Sequence, residues 1–268
     1  IYLDEGVLIR DPARFDCSGN LFCGQDVIIE PSVIIHGECR LGNNCVVKAG
    51  AQLLGTCVIG DNTVIHANSI LTDSTIGAHC SIGAHSTLVD TQLGSQVTIL
   101  NNSELQSSFV DSHARVGPYA YARPGTTIGE SAKFGSFVEA KNTQIKPGAS
   151  VAHFAYVGDC QIGEKTNIGA FTVHCNYHGP GKPKAYSSIG DHAFVGAGTQ
   201  IVGPAELGKG CVIGAGSTVR GNVDDNELYV DRKSPIRKDN WGDNKGLAAG
   251  KIDNTKGANT LNAQTLKI

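Results

Sequence analysis

The sequence has 268 residues, 40% of them hydrophobic and 18% charged, with a formal net charge of −3 at pH 7. This balance gives no electrostatic reason to expect nucleic acid or an anionic membrane as a partner. No apolar run approaches the ~18 residues of a membrane-spanning helix, and the first residues lack a signal-peptide pattern, so we expect a cytoplasmic protein without membrane insertion.

Cysteine and glycine usage narrow the class further. The nine cysteines are scattered without a CxxC pair, which favours free thiols in a reducing compartment over a disulfide or zinc framework. The 34 glycines and single tryptophan suit a fold with many turns better than a helical bundle.

Near the amino terminus, the stretch GVLIRDPARFD (Gly6 to Asp16) precedes any regular repeat. The end of a β-structure presents unpaired strand edges unless something covers it. We therefore predict that residues 1–22 form a cap or linker, in which Phe15 and the aliphatic side chains close one end of the following domain.

From Ile29 onward an aliphatic residue recurs at nearly every sixth position, as in IEPSVI, IHGECR, LGNNCV and VKAGAQ. The register runs to Val219 with one interruption after Ile168, and 28 of its 31 leading positions are Ile, Leu or Val. A helix would require spacings of three and four, which are absent. Some spacings are five, and several of these recur in step, as from 71 to 76, from 88 to 93 and from 105 to 110. This recurrence indicates a coil of three short strands with one tighter corner.

A period of six that groups in threes is typical of a hexapeptide-repeat parallel β-helix. We predict that residues 23–222 form such an all-β, three-sided prism of about ten or eleven coils. The aliphatic side chains stack inside it at a spacing of about 4.8 Å, and Gly, Asn and Asp supply the corners. The period does not determine the hand, because strand crossovers are normally right-handed.

Two stretches leave the repeat. CNYHGPGKPKAYSS (Cys175 to Ser188) cannot continue an aliphatic stack, so we expect an extruded loop. It is either a tolerated surface insertion or a loop that brings Lys182 or Lys184 to a neighbouring subunit. Residues 223–268 become charged and then rich in Gly, Asn and Lys, and we expect an irregular carboxyl-terminal arm and polar tail.

Nine histidines are candidates for chemistry, although most suit solvent-facing corners. A zinc site needs about three converging imidazoles, and residues six apart, such as His79 and His85, point to different faces. His153 has different neighbours, because Arg123 and Lys141 are expected about one coil before it. Two cations can clamp a phosphate, and a neutral imidazole can act as a general base. The alternative is a polar surface cluster without function.

Several short motifs carry a resemblance to a known family. ARPG (Ala122 to Gly125), FVEAKN, HFAYVGD, TNIGA, CNY and FVGAGTQIV resemble the acetyltransferase domain of the bacterial bifunctional N-acetylglucosamine-1-phosphate uridyltransferase/glucosamine-1-phosphate acetyltransferase. The resemblance covers residues 6 to about 241 and is dense from 117 to 222. It implies a left-handed β-helix, a homotrimer with active sites between subunits, and acetyl transfer from acetyl-CoA to glucosamine 1-phosphate, a step of UDP-N-acetylglucosamine biosynthesis.

The resemblance also implies a role for each matching position. His153 is the general base and Asn176 orients it. The residues implied to bind the amino-sugar phosphate are Arg123, Lys141, Tyr156, Asn167 and Lys182. The residues implied to bind acetyl-CoA are Ala170, Asn176, Tyr177, Ala197, Ala215 and Arg232. No metal is needed for the acetyl transfer, and Mg²⁺ is expected only for the uridyltransferase domain, which this sequence does not match.

This sequence departs from the family at a few places. Ala197 stands where the family often has a serine, the loop around Lys182 is one residue longer, and the region from Leu41 to Asp111 has about two additional coils. Three alternatives remain: another hexapeptide acyltransferase, a zinc carbonic anhydrase of the same fold, and a β-helix with a purely structural or binding role.

Overall fold

The computed structural model describes residues 6–231. These residues form a left-handed parallel β-helix of three faces and about twelve turns, so the predicted fold class is confirmed. A single 3-10 turn, Pro12–Arg14, interrupts the β-structure of this part of the chain; Asp11 caps it, because the Asp11 carboxylate accepts the Ala13 N–H. The described residues contain no helix that is long and apolar enough to cross a membrane.

The first face is a sheet of thirteen short parallel strands. Its strands are Leu8–Ile9, Ile28–Ile29, Val46–Val47, Val64–Ile65, Ser81–Ile82, Thr98–Ile99, Arg115–Val116, Lys133–Ser136, Ser150–His153, Asn167–Ile168, Phe194–Val195, Val212–Ile213 and Leu228–Tyr229.

The second and third faces share an eighteen-stranded sheet. Five long strands bend from the second face into the third: Asp16–Cys23, Ile34–Leu41, Gln52–Ile59, Glu139–Ile145 and Tyr156–Ile162. The second face also contains Ile70–Thr72, Thr87–Val89, Glu104–Gln106, Tyr121–Ala122, Val173–Cys175, Gln200–Val202 and Thr218–Arg220. The third face also contains Thr75–Ile76, Gln92–Leu93, Phe109–Val110, Thr127–Ile128, Ser187–Ile189 and Glu206–Leu207.

The strand register explains the period of the sequence. Thr98 pairs with Ser81 on one side and with Arg115 on the other, so each coil here combines one spacing of five with two of six. All 31 leading positions of the repeat lie in the interior with 0–5% of their surface exposed. Because burying one Val, Leu or Ile side chain is worth about 1.5–3 kcal/mol, this stack is the main source of stability, and no coil can bury it alone.

Small polar side chains fill the interior at the corners. Ser69 Oγ, for example, bonds the carbonyl groups of His66 and Gly83, and Thr143 Oγ1 bonds those of Lys141 and Val157. These bonds satisfy corner carbonyls that the strands leave unpaired. Six cysteines are also buried: Cys39, Cys45, Cys57, Cys80, Cys160 and Cys211. Burial raises the pKa of each of these thiols, and it raises the pKa of Cys160 to about 12.

The interruptions lie close to their predicted places. Asn167 pairs directly with Phe194, so the chain between them is far longer than an ordinary coil, and most of residues 176–186 are exposed. This arrangement confirms an extruded loop.

The boundaries of the β-helix differ slightly from the predicted ones. Within the expected cap, Asp16–Cys23 already pairs along its whole length with Ile34–Leu41, and Phe15 packs against the interior. Paired strands thus begin before residue 23, and Leu228–Tyr229 continues them past residue 222. The rest of the predicted arm and tail, from residue 232, lies outside the described residues.

Candidate active site

His153 lies at the first corner of the prism, the corner between the first and second faces. It ends the strand Ser150–His153 and its side chain is exposed to solvent, not directed into the aliphatic interior. The register of the next three coils places Ala170, Ala197 and Ala215 above it. We call these four residues the corner column. Since alanine has no atoms beyond Cβ, the corner above the imidazole is open.

A ladder of four aromatic rings lies beside the corner column. Tyr119, Phe137, Phe154 and Phe171 stack on successive coils with ring centroids 4.9–5.1 Å apart and planes within 13° of parallel. All four residues have positive φ, between 45° and 59°, which is uncommon for aromatic residues. Each ring is 47–61% exposed. Stacking of neighbouring rings offsets the backbone strain, and in the next two coils Gly198 and Gly216 take this corner position.

Arg123 and Lys141 lie at the second corner, between the second and third faces. Arg123 follows the strand Tyr121–Ala122, and its Nη1 donates to Glu139 Oε1 at 2.8 Å. This hydrogen bond raises the pKa of the guanidinium. The register places Lys141 directly below Gly158 in the adjacent coil. A guanidinium has five N–H donors, so Arg123 retains donors for a phosphate while it is paired with Glu139.

Tyr156 and Asn176 meet at this same corner. Asn176 Nδ2 donates to Asp159 Oδ2 at 2.6 Å and lies 3.4 Å from the Tyr156 hydroxyl. The other carboxylate oxygen of Asp159 accepts from Asn142 Nδ2 at 2.8 Å. Asp159 is 8% exposed and Asn176 4% exposed. The carboxylate therefore fixes the orientation of the Asn176 amide, whose buried nitrogen is satisfied as buried polar groups require.

His174 occupies an interior position below the extruded loop. Its Nδ1 bonds the carbonyl of Gly158, and its Nε2 lies 2.8 Å from Ser187 Oγ. The Gly158 carbonyl can only accept, so Nδ1 of the neutral ring carries the proton and Nε2 accepts from the Ser187 hydroxyl, whose oxygen also accepts the Ala205 N–H at 3.0 Å. Burial lowers the pKa of His174. The neutral imidazole thus forms hydrogen bonds both to Gly158, in the coil of Tyr156, and to Ser187, where the chain returns from the loop.

The remaining predicted residues lie in three places. Asn167 is on the first face, where it pairs with Ser150 below and Phe194 above. Tyr177 and Lys182 are exposed in the loop, where the Lys182 N–H bonds the Gly179 carbonyl at 3.4 Å. Arg232 lies outside the described residues.

The predicted residues form two groups within one chain. His153, Asn167 and the alanines are on the first face and first corner, whereas Arg123, Lys141, Tyr156 and Asn176 are on the second face and second corner. The expectation that both cations lie one coil before His153 was wrong for Arg123, which lies two coils below it. Sequence spacing did not predict this separation. The number of residues between two side chains gives the number of coils between them only approximately, and it does not specify the corner at which each side chain lies.

Sequence reasoning missed three features of the site. Glu139 is the acidic residue of FVEAKN and Asp159 is the last residue of HFAYVGD, so both belong to motifs that carry the resemblance. The aromatic ladder also had a signal, since its members recur at about the interval of one coil. Between residues 6 and 231, no three His, Cys, Asp or Glu side chains are grouped so that they could hold a metal ion.

Two family models match parts of the chain. The model described as bacterial transferase hexapeptide (six repeats) matches residues 186–221, and the model described as GMPPB C-terminal domain matches residues 17–110. The first match includes the corner column residues Ala197 and Ala215, and the second ends before the motif ARPG.

Several solved structures are similar to parts of this chain. PerB from Caulobacter crescentus, solved in complex with CoA and GDP-perosamine, is 21% identical over 49% of this chain and 57% of its own length, with a TM-score of 0.37. UDP-N-acetylglucosamine acyltransferase from Campylobacter jejuni is 22% identical over 75% of this chain and 70% of its own, with a TM-score of 0.36. LpxA from Acinetobacter baumannii is 14% identical over 79% of this chain and 71% of its own length, with a TM-score of 0.33.

The chain thus matches less than two thirds of the length of PerB. All three TM-scores are below 0.5, and the strand register of residues 6–231 is what shows the parallel β-helix. Residues 186–221 of this left-handed β-helix match the family model of bacterial transferase hexapeptide repeats.

Proposed function

We propose that the protein is an acyltransferase that moves the acetyl group of acetyl-CoA to the amino group of glucosamine 1-phosphate, giving N-acetylglucosamine 1-phosphate. The observation that carries this proposal is the corner column, in which an exposed imidazole stands at the foot of three alanines on successive coils. An extended acyl-pantetheine chain can lie along such an open corner and end with its thioester at His153.

In the proposed reaction His153 takes a proton from the amino group of the sugar. The nitrogen lone pair then forms a bond to the thioester carbonyl carbon, and the carbon–sulfur bond breaks as the tetrahedral intermediate collapses. The thiolate of coenzyme A leaves and accepts the proton from the His153 imidazolium, which restores the neutral base. A positioned general base contributes about 10²–10⁴-fold to such a step. The intermediate is bound to no residue of the protein, so no cysteine acts as a nucleophile.

The phosphate of the acceptor is assigned to Arg123 and Lys141 at the second corner, with Lys182 from the loop. Holding the phosphate fixes the amine against the carbonyl, and such positioning can replace several kcal/mol of entropic cost, up to about 7–11 kcal/mol in ideal cases. Asp159 supports this arrangement, because it orients Asn176 against the Tyr156 hydroxyl.

We further propose that the active site lies between two copies of the chain in a homotrimer. His153 and Arg123 are at different corners and two coils apart within one chain. A second copy that faces the first corner can bring its own cations to the imidazole of the first. The exposed loop from Tyr177 to Tyr186 supports this arrangement, because it extends from the prism and contains Lys182 and Lys184.

The test is thiol release from acetyl-CoA in the presence of glucosamine 1-phosphate, glucosamine 6-phosphate or serine. We expect rapid release with glucosamine 1-phosphate and at least about tenfold less with the other two, since only the first places its phosphate and amine at the proposed spacing. Equal release with all three acceptors, or preference for serine, would refute the proposed substrate and favour another hexapeptide acyltransferase.

A further inference from the structure

A groove of about 390 Å³ lies on the first face next to His153. Gly117, Gly135 and Ala152 are among its lining residues, and His153 lies on the uppermost coil that lines it. A Cβ atom added at Gly135 would overlap the backbone of Ala152, so the floor has no room for a larger side chain. The volume is within the range of pockets that hold small molecules, about 300–1,000 Å³.

Two cations form one side of this groove. Arg115 and Lys133 occupy outward positions of adjacent first-face strands and pair directly in the register. Strands in a sheet are about 4.8 Å apart, so the two side chains emerge close together. Both are exposed, and neither forms an ion pair with any residue between 6 and 231.

The groove also lacks the groups that would neutralise these cations. No Asp or Glu is among its lining residues, whereas two serines, Ser136 and Ser150, are. Two other cations of the chain have such a partner, since Arg123 pairs with Glu139 and Lys48 with Glu30. Two adjacent like charges without a counter-charge destabilise the free protein slightly, and an anion with several oxygens removes that repulsion.

We propose that Arg115 and Lys133 form a phosphate-binding site in the groove beside His153, separate from the site of Arg123 and Lys141. The ligand is a phosphate or pyrophosphate group of a molecule whose reacting end reaches His153. Two sources offer this chemistry, the phosphate of the amino-sugar acceptor and the phosphates of coenzyme A. Only the identity of the phosphate's source depends on the proposed function.

Calorimetric titration with inorganic pyrophosphate at low ionic strength tests the site without any turnover. The variant Arg115→Gln/Lys133→Gln should bind pyrophosphate at least about tenfold more weakly than the wild type, because both charge-assisted contacts are lost. Lys165→Gln is the matched control, since Lys165 is an exposed lysine outside the groove, and it should bind like the wild type. Equal affinity in the double variant and the wild type, or no binding by the wild type, would overturn the proposal.

Separate titrations with glucosamine 1-phosphate and with coenzyme A then identify the source. The ligand whose affinity falls in the double variant, and not in Lys165→Gln, is the one that occupies the groove. Unchanged affinity for both would refute a role for the groove in binding either substrate. Failure of the proposed function has a different signature, since thiol release would be absent while the pyrophosphate titration still separated the double variant from its control.

Discussion

The interior imidazole of His174 should make the protein less stable in acid. Burial lowers its pKa in the folded state from the ordinary value of 6.5. As the pH falls through 6.5 the unfolded chain therefore binds more protons than the folded chain, and the free energy of unfolding decreases. This contribution is fully present above pH 6.5 and is lost progressively below it, until the folded-state pKa is reached.

The magnitude follows from the linkage relation. One histidine changes the free energy of unfolding by at most about 1.4 kcal/mol per pH unit within this window. His174→Gln removes the titration and also weakens the bonds to Gly158 and Ser187. The variant should therefore lose about 1–3 kcal/mol near pH 7.5, where both bonds are intact in the wild type, and the deficit should shrink as the pH falls.

Urea unfolding between about pH 7.5 and 4.5 measures this difference, and subtracting the two proteins cancels the other histidines. His113→Asn is the control, because His113 is exposed and is not among the groups that act on His174. That variant retains His174 and should therefore lose stability in acid as the wild type does. Parallel stability curves for wild type and His174→Gln would refute the assignment of a buried neutral imidazole.

Three further predictions concern the site and its support. His153→Ala should lower kcat about 10²–10⁴-fold, because it removes the proposed general base. The free energy of unfolding should stay within about 0.5 kcal/mol of the wild type, because the side chain is exposed. Steady-state thiol release and urea unfolding measure the two effects, and an equal loss of kcat in His113→Asn, at another exposed corner, would contradict the prediction. Asp159→Asn should destabilise the protein by about 1–3 kcal/mol, since it places an amide donor against Asn142 or Asn176; thermal unfolding measures this, and an unchanged midpoint would refute the network. Phe137→Asn should lower the free energy of unfolding by about 1–3 kcal/mol, because two stacking contacts are lost. Urea unfolding measures this change, and an unchanged free energy would show that the aromatic ladder contributes no stability.

The sequence by itself determined the parallel three-sided prism but not its hand, because the period of six is a direct consequence of how the interior is built. Every leading aliphatic residue from Ile29 to Val219 faces the interior, and a side chain in a strand can alternate only between two faces. The extruded loop was predictable for the same reason, since residues 175–188 offer nothing to the aliphatic stack. Part of the polar network was within reach as well, because Asn142, Asp159 and Asn176 recur at the interval of one coil.

The tertiary structure decided which of these side chains meet. His174 and Ser187 lie on opposite sides of the loop, and no coil spacing connects them, because the extruded residues hide the register. The groove of Arg115 and Lys133 was missed for a related reason: their adjacency follows from a coil slightly longer than the one before it, and only strand pairing locates that longer coil. The corner of the prism to which a residue belongs depends on all the turns before it, so local sequence cannot specify it.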